Sequence, residues 1–252
     1  MFIPKEIIQN WLMGFGGVAK AARRYHSTGI NADPVEARKA FECYVRFSPV
    51  DGKDILEIGP GHTLEVLEYA LVHGARSCAA ADVAEYVSEE RVRRSGITYR
   101  LYQGQELPYD SEQFDLVWSY NTFEHLRYPE VTAAECHRVL RKGGLFVAQI
   151  DLGDHSSYHL SYGPRDPSKL FECLKYPRWL WNIMRWNRSS YVNRLRKSEW
   201  LQLFQQKGFR VQHIEGRESE EISRLLPNLP YLHAYSREDA VTYAIIVCAG
   251  KT

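Results

Sequence analysis

The chain has 252 residues, with 32 Lys or Arg against 31 Asp or Glu, so its formal net charge is only +1. This balance argues against capture of nucleic acid by the charge of the whole chain. The five cysteines are scattered without a C-x-x-C pair, which indicates neither a disulfide framework nor a zinc knuckle.

Apolar runs are short throughout the sequence. None approaches the about 18 residues of a membrane-spanning helix, and the apolar stretch at 11–18 lacks the plan of a signal peptide. We therefore expect a cytoplasmic protein without a membrane span.

The order of predicted elements indicates an α/β protein. Helices are expected to open at Pro4 and Pro34, because Pro favours the first helical turn. Strands are expected near 54–59, 77–81, 97–102, 114–119, 144–151, 209–215 and 242–249. Helical patterns separate most of these strands, which predicts a parallel sheet covered by helices. Residues 1–48 are predicted to be a helical addition to a domain at 49–252.

The first predicted strand ends in a glycine turn. Glu57 is followed by Gly59-Pro60-Gly61, and an amphipathic helix pattern begins directly afterwards. Glycines let a ligand approach the backbone closely, and the helix end supplies free N–H groups, so the turn is typical of a nucleotide site. A dinucleotide fingerprint requires glycine at the position of Leu64, and no P-loop Gly-Lys-Ser/Thr follows.

The second predicted strand also ends in a carboxylate. Asp82 lies 23 residues after Gly59, where a carboxylate can accept hydrogen bonds from both ribose hydroxyls. The alternative is that Asp82 caps a helix opening at Val83.

Three later segments complete a recognisable series. They are Gly104–Ser119 with L-P-Y and F-D-L-V-W-S, Tyr120–Leu126, and Glu135–Val147 with R-V-L-R-K-G-G. Together with E-x-G-x-G they resemble the class I S-adenosylmethionine (SAM) methyltransferases of the type 11 kind. The resemblance runs from about 55 to 150 and implies a Rossmann-like sheet of seven strands, mostly parallel, with the last strand antiparallel.

The resemblance also implies cofactor contacts. SAM, and the S-adenosylhomocysteine formed from it, would be held by the turn, by Asp82 and by segments that follow the third and fourth strands. The residues concerned are Glu57, Gly59, Pro60, Gly61, Thr63, Asp82, Val83, Gln103, Gln105, Glu106, Ser119 and Asn121. Thr63 stands where the family usually has a third glycine, and Gln103 where it often has Asp. In the third segment, Gly143 is expected to follow the end of a helix.

Two histidine clusters are candidates for acid–base chemistry. Asp151, Asp154 and His155 follow the fifth strand, while His125 lies in the segment that borders the methyl-transfer centre in the family. A histidine held by a carboxylate suits removal of a hydroxyl proton, and we favour His155. His155 and His159 are also spaced like a metal pair, but no third ligand is evident, so no metal is predicted.

A basic and aromatic insertion at 155–197 is expected to form a lid. From 163 to 197 it holds nine Lys or Arg and two acidic residues, with interleaved Trp, Tyr and Phe. These side chains could bind a planar or sugar-ring acceptor that carries carboxylate or phosphate, or could pack on the core. Single-stranded nucleic acid and peripheral contact with a membrane surface are further alternatives.

The expected function is SAM-dependent methylation, most simply on oxygen, of a small-molecule or glycan-type acceptor with negative charge. The alternatives are a SAM-binding scaffold or regulatory subunit without catalysis, and a methyltransferase acting on nucleic acid. A nicotinamide oxidoreductase is disfavoured by Leu64. Oligomeric state is left open by the sequence.

Overall fold

A computed structural model describes residues 2–23, 34–157 and 166–252. The helices are α1 Ile3–Met13, α2 Gly16–Arg23, α3 Pro34–Val45, α4 Glu65–Val72, α5 Glu89–Ser95, α6 Pro129–Val139, α7 Arg178–Arg185, α8 Lys197–Gln206, α9 Glu220–Leu225 and α10 Arg237–Val241. The strands are β1 Asp54–Ile58, β2 Ser77–Asp82, β3 Thr98–Leu101, β4 Phe114–Tyr120, β5 Leu140–Asp151, β6 Phe209–Glu218 and β7 Thr242–Lys251. No helix in these ranges is long and apolar enough to cross a membrane.

The seven strands form one sheet in the order β3-β2-β1-β4-β5-β7-β6. Pairing is parallel from β3 through to β5, with Leu56 opposite Ala79 of β2 and Val117 of β4. The last strands are antiparallel. This confirms the predicted Rossmann-like sheet, in which ligands bind beyond the carboxyl ends of the parallel strands.

Helices cover both faces of this sheet because neighbouring side chains on a strand point in opposite directions. On one face, Val147 and Trp118 lie in a cluster with α3 and α4, where Tyr44 stacks on Trp118 at 4.5 Å between ring centroids. On the other face, Phe146 packs against Phe204 of α8 at 5.2 Å.

The prediction that Gly143 follows a helix end is wrong. Helix α6 ends at Val139, and the chain is already extended at Leu140. Gly143 instead has a φ of +77° inside β5, beside a register shift between Phe114 and Leu116 of β4. A Cβ on Gly144 would lie 2.9 Å from the Asp115 carbonyl oxygen, so Gly144 lets β5 run close to β4 at this irregularity.

The amino ends of the central strands carry a cluster of ion pairs. Arg141 Nη1 lies 2.8 Å from both Asp54 of β1 and Asp115 of β4, and Arg76 is bidentate on Asp54. The Arg76 guanidinium holds the pKa of Asp54 well below its usual range, against a smaller opposing effect of burial. Asp54 is therefore ionised at neutral pH.

The chain divides into two compact units. The sheet unit comprises Gly29–Ile150, Glu199–Glu215 and Ile246–Thr252, and the helical unit comprises Met1–Thr28, Asp151–Ser198 and Gly216–Ile245. The predicted boundary between 48 and 49 stays a prediction.

The helical unit has its own apolar core, which includes Phe171, Trp181, Tyr191 and Leu232. Arg196 is fully buried in this unit, with its guanidinium 4.3 Å from the centre of the Phe171 ring. Its N–H groups donate to the carbonyls of Asp239, Leu152 and Thr242. One side chain therefore joins the end of β5, α10 and the start of β7.

Candidate cofactor and catalytic site

The turn after β1 has the backbone conformation that its glycines predict. Gly59 and Gly61 have φ values of +71° and +66°, which favour glycine because a side chain is strained there. The Gly59 N–H donates to the Ala81 carbonyl at 2.8 Å, which ties the turn to the end of β2.

Thr122 immediately precedes the short 3₁₀ helix Phe123–His125 and lies directly against this turn. Its hydroxyl donates to the Gly59 carbonyl at 3.1 Å, and a Cβ on Gly59 would lie 2.3 Å from Thr122 Cγ2. Gly59 is therefore required by a close neighbour as well as by its φ. Thr122 was missed as a site residue, although it stands within the motif at 120–126.

Asp82 braces the turn from the neighbouring strand. Its Oδ2 accepts the Gly61 N–H at 3.0 Å and its Oδ1 accepts the Val83 N–H at 2.7 Å. Burial raises its pKa to about 6, although these backbone hydrogen bonds act in the opposite direction. The next helix begins at Glu89 and is capped by Ser88, so Asp82 is not a helix cap.

Glu57 lies beneath the turn and is almost completely buried. Burial raises the pKa of Glu57 to about 8; the nearby Tyr44 hydroxyl lowers it and the charge of Asp82 raises it further. Its Oε2 atom is buried without a hydrogen-bond partner. The carboxyl is thus largely protonated at neutral pH and has unused hydrogen-bonding capacity. Tyr44 of α3 was not predicted from the sequence to belong to this site.

Thr63 has a local role that glycine could not fill. Its Oγ1 accepts the Glu65 N–H at 3.1 Å, at the first residue of α4, and Leu64 is fully buried. The hydroxyl satisfies one of the free N–H groups of the helix start. Pro60 is partly exposed between the two glycines.

The predicted adenine residues lie on the surface. Gln103, Gln105 and Glu106 are all exposed around Gly104, whose φ is +75°. Glu106 lines a cleft of about 300 Å³ together with Arg100 and Gln113. Val83, next to Asp82, is also exposed and offers an apolar surface.

The two residues predicted at the end of β4 differ in their surroundings. Ser119 is fully buried and donates to the Ile58 carbonyl at 3.1 Å, which links β4 to β1. Asn121 is exposed with a φ of +50°, and its Oδ1 accepts from Gln149 Nε2 at 3.2 Å. Asparagine takes this left-handed conformation more readily than most residues, so Asn121 is suited to the turn after β4.

His125 belongs to the sheet unit, as the glycine turn does. Its Nε2 lies 3.9 Å from Oε1 of Glu124, which is buried. The 3₁₀ helix that carries it is anchored by the His125 N–H, which donates to the Thr122 carbonyl at 2.9 Å.

His155 belongs to the helical unit, as do the predicted carboxylates Asp151 and Asp154. Asp151 Oδ1 accepts the Gly153 N–H at 2.9 Å, and its Oδ2 lies 3.9 Å from His155 Nε2, an ion-pair distance too long for a direct hydrogen bond. Asp154 is buried, and its charge adds to the effect of burial in raising the pKa of Cys173. His159 lies outside the described residues.

The cations of the insertion are mostly engaged within the helical unit. Arg194 and Arg196 donate to backbone carbonyls. Five further cations form ion pairs with carboxylates. The engaged residues are Lys169, Lys175, Arg185, Arg188, Arg194, Arg196 and Lys197. Arg178 is exposed, and Arg165 is not among the described residues. Phe171, Trp181 and Tyr191 are buried, which favours the alternative of a packed lid.

The residues around the turn fit SAM. The carboxylate of Asp82 and the unpartnered buried carboxyl oxygen of Glu57 suit a ligand that carries ribose hydroxyls and positive charge but no phosphate.

Comparison with known proteins agrees with this geometry. Residues 56–148 match the family model described as a methyltransferase domain. A ubiquinone biosynthesis O-methyltransferase from Rhizobium etli is 31% identical over 109 residues, which are 41% of this chain and 43% of that protein. The match thus spans less than half the length of this curated relative.

Solved structures share the fold. A SAM-dependent methyltransferase from Mesorhizobium loti has a TM-score of 0.57 at 18% identity, over 85% of this chain and 100% of that one. A phosphoethanolamine N-methyltransferase from Haemonchus contortus, solved with S-adenosylhomocysteine, has a TM-score of 0.57 at 17% identity, over 85% of this chain and 53% of that one. This likeness shows the fold, and the matched family model identifies residues 56–148 as a methyltransferase domain.

Proposed function

We propose that this chain is a SAM-dependent O-methyltransferase acting on a small-molecule or glycan-type acceptor. The observation that carries the proposal is the braced turn, in which Asp82 accepts the Gly61 N–H and Thr122 closes on Gly59. Such a turn is built to present backbone rather than side chain to a ligand.

The cofactor would be held by residues of the sheet unit. Asp82 retains acceptor capacity on both carboxylate oxygens for the ribose hydroxyls, since each oxygen can take more than one hydrogen bond. Val83 and the exposed glutamines at 103 and 105 would contact the adenine. When bound, SAM supplies an electrophilic methyl group on a sulfonium.

The acceptor hydroxyl must lose its proton as its oxygen forms the new bond to carbon, while the carbon–sulfur bond breaks and its electron pair stays on sulfur. We propose that a ring nitrogen of His155 takes this proton, with Asp151 favouring the imidazolium that results. His125, beside Glu124, is the competing base.

The choice of oxygen is supported by the Rhizobium etli relative, which is named as an O-methyltransferase. A negative charge on the acceptor was expected from the cations of the insertion. Seven of these cations are paired within the protein. Among the described residues, the exposed Arg178 is therefore the cation of the insertion that supports a negatively charged acceptor. Parallel assays with anionic and neutral acceptors would decide the point.

The cofactor assignment is tested by calorimetry with S-adenosylhomocysteine. Binding is expected, and no heat of binding at millimolar ligand would refute the proposal. Turnover is tested by incubating labelled SAM with fractionated extracts and identifying the labelled product by mass spectrometry. Binding without transfer to any fraction would favour the non-catalytic scaffold.

The base is assigned by comparing His155→Ala and His125→Ala. Loss of a general base should lower kcat by about 10²–10⁴-fold while leaving the affinity for S-adenosylhomocysteine nearly unchanged. His73→Ala, at an exposed histidine directly after α4, is the control. A normal kcat for His155→Ala would show that His155 is not the general base and would leave His125 as the candidate.

A further inference from the structure

The N-terminal helices and α7 present an unusually apolar outer surface. Trp11 and Trp179 are 63% and 64% exposed. The other large exposed apolar residues of α1, α2, α7 and the turn between α1 and α2 are Ile8, Leu12, Phe15, Val18 and Ile183. We call these seven residues the aromatic face. An exposed apolar patch of this kind on a protein surface is typical of an interaction site.

The exposed apolar residues of α1 and of α7 lie along one stripe of each helix. Ile8, Trp11 and Leu12 follow the i, i+3, i+4 pattern of one stripe of α1, and Phe15 lies in the turn that follows the helix. The rings of Trp11 and Phe15 meet edge to face at 5.0 Å. On α7, Trp179 and Ile183 are four residues apart and share a stripe.

The contact between α1 and α7 is made by polar groups, although α7 also buries Trp181 and Met184 on its inner side. Asn10 is buried: its amide donates to the Ile183 carbonyl at 2.9 Å, and its Oδ1 accepts the Asn187 N–H at 2.7 Å. Glu6 is paired with Arg185 and Arg188 in the same contact. Polar groups thus hold α1 against α7, while Ile8, Trp11 and Leu12 of α1 stay exposed.

The charge around the aromatic face is positive. Lys5, Lys20 and Arg178 are exposed on α1, α2 and α7. Glu6 is the only acidic residue in the described parts of these helices, and its charge is already neutralised by two arginines. In the described parts of α1, α2 and α7 the exposed charged side chains are therefore cations.

We propose that the aromatic face binds the surface of a bilayer that contains anionic phospholipid. Tryptophan rings suit the boundary between headgroups and acyl chains, and each nearby cation adds attraction to the anionic headgroups. Charge complementarity favours lipid over a second copy of this chain, because a symmetric dimer through this face would bring its cations together. The inference does not depend on the proposed methylation.

The test is co-sedimentation with vesicles of phosphatidylcholine alone and of phosphatidylcholine mixed equally with phosphatidylglycerol. The protein is expected to bind the anionic vesicles, and binding should weaken as salt is added. The variant Trp11→Ala/Phe15→Ala/Trp179→Ala should bind at least about tenfold more weakly, since each ring loses buried apolar area. Val72→Ala, which removes an 82% exposed apolar side chain of the sheet unit, is the matched control.

A second variant, Lys5→Gln/Lys20→Gln/Arg178→Gln, separates charge from ring insertion. It should lose binding to anionic vesicles by about tenfold or more and should have a smaller dependence on salt. Affinity for S-adenosylhomocysteine should stay normal in both variants, so failure here is distinguishable from failure of the proposed function.

Lack of binding to anionic vesicles, or equal binding by the triple aromatic variant, would overturn the proposal. A dimer in light scattering that the aromatic variant abolishes, together with no vesicle binding, would show that the face joins two copies. If the aromatic variant fails to fold, quenching of native tryptophan fluorescence by brominated acyl chains is the deciding measurement. Absence of quenching would then refute lipid insertion.

Discussion

Thr122 occupies the space that a side chain at Gly59 would need. The separation from a Cβ would be 2.3 Å to Cγ2 and 2.5 Å to Oγ1, and the same hydroxyl is hydrogen-bonded to the Gly59 carbonyl. Contact between the β1 turn and the segment after β4 is thus direct. Neither residue can change without affecting the other.

Gly59→Ala should therefore lose affinity for S-adenosylhomocysteine and also stability. Two effects add: the positive φ disfavours alanine by about 1–2 kcal/mol, and the clash forces the turn or Thr122 to move. Gly96→Ala is the matched control, because Gly96 has a φ of +70° with nothing within 4 Å of a Cβ. Calorimetry and urea denaturation would check both, and equal losses in the two variants would contradict the role of the clash.

Asp82→Ala should lower the affinity for S-adenosylhomocysteine by about 10–100-fold, because hydrogen bonds to a charged group contribute about 1.5–3 kcal/mol. The loss has two sources, the ribose contacts and the brace on the Gly61 N–H. Glu130→Ala, at an exposed carboxylate of α6, is the control for calorimetry. Unchanged affinity for Asp82→Ala would exclude Asp82 from the cofactor site.

Glu57→Gln should remove a pH dependence of stability. The folded protein keeps the Glu57 proton up to about pH 8, whereas the ordinary pKa is 4.5. Stability from this group is complete below 4.5 and falls between 4.5 and 8, by at most about 1.4 kcal/mol per pH unit. Urea denaturation of both proteins across that window should show that the free energy of unfolding of the variant rises relative to that of the native protein as pH rises. A constant difference would contradict a buried protonated carboxyl.

Arg196→Met should destabilise the fold by several kcal/mol. The carbonyls of Leu152, Asp239 and Thr242 would lose their donor, and each buried unsatisfied group costs about 1–3 kcal/mol. Arg178→Met, at an exposed arginine, should change the free energy of unfolding by less than about 0.5 kcal/mol. Urea denaturation would compare them, and similar values would show that the buried hydrogen bonds contribute little.

Sequence patterns predicted the fold well because local signals and tertiary packing agree. Strand β1, expected at 54–59, is found at Asp54–Ile58, and the helix expected to open at Pro34 does so. Strand β5 was expected at 144 and begins at Leu140, because pairing with β4 overrides the helix-ending tendency of Gly143.

Residues of the candidate site could be predicted only where a motif within one short segment of sequence identifies them. The glycine turn and Asp82 could be found by spacing, but the contact of Thr122 with Gly59 joins segments 63 residues apart. Likewise, spacing could not show that Arg196 and Arg194 are used by carbonyls of the protein itself. Residue type is visible in the sequence, whereas the partner of a side chain is decided by the fold.

Strand β1 holds two carboxyl groups three residues apart with opposite protonation at neutral pH. Asp54 is ionised beside arginine, and Glu57 keeps its proton because it is buried. A cationic ligand near Glu57 would favour its ionised form, so cofactor binding would release a proton and would tighten as pH rises toward 8. The contribution of Glu57 to the stability of the empty protein changes in the opposite direction, so mild acid would keep that contribution while weakening the hold on the cofactor.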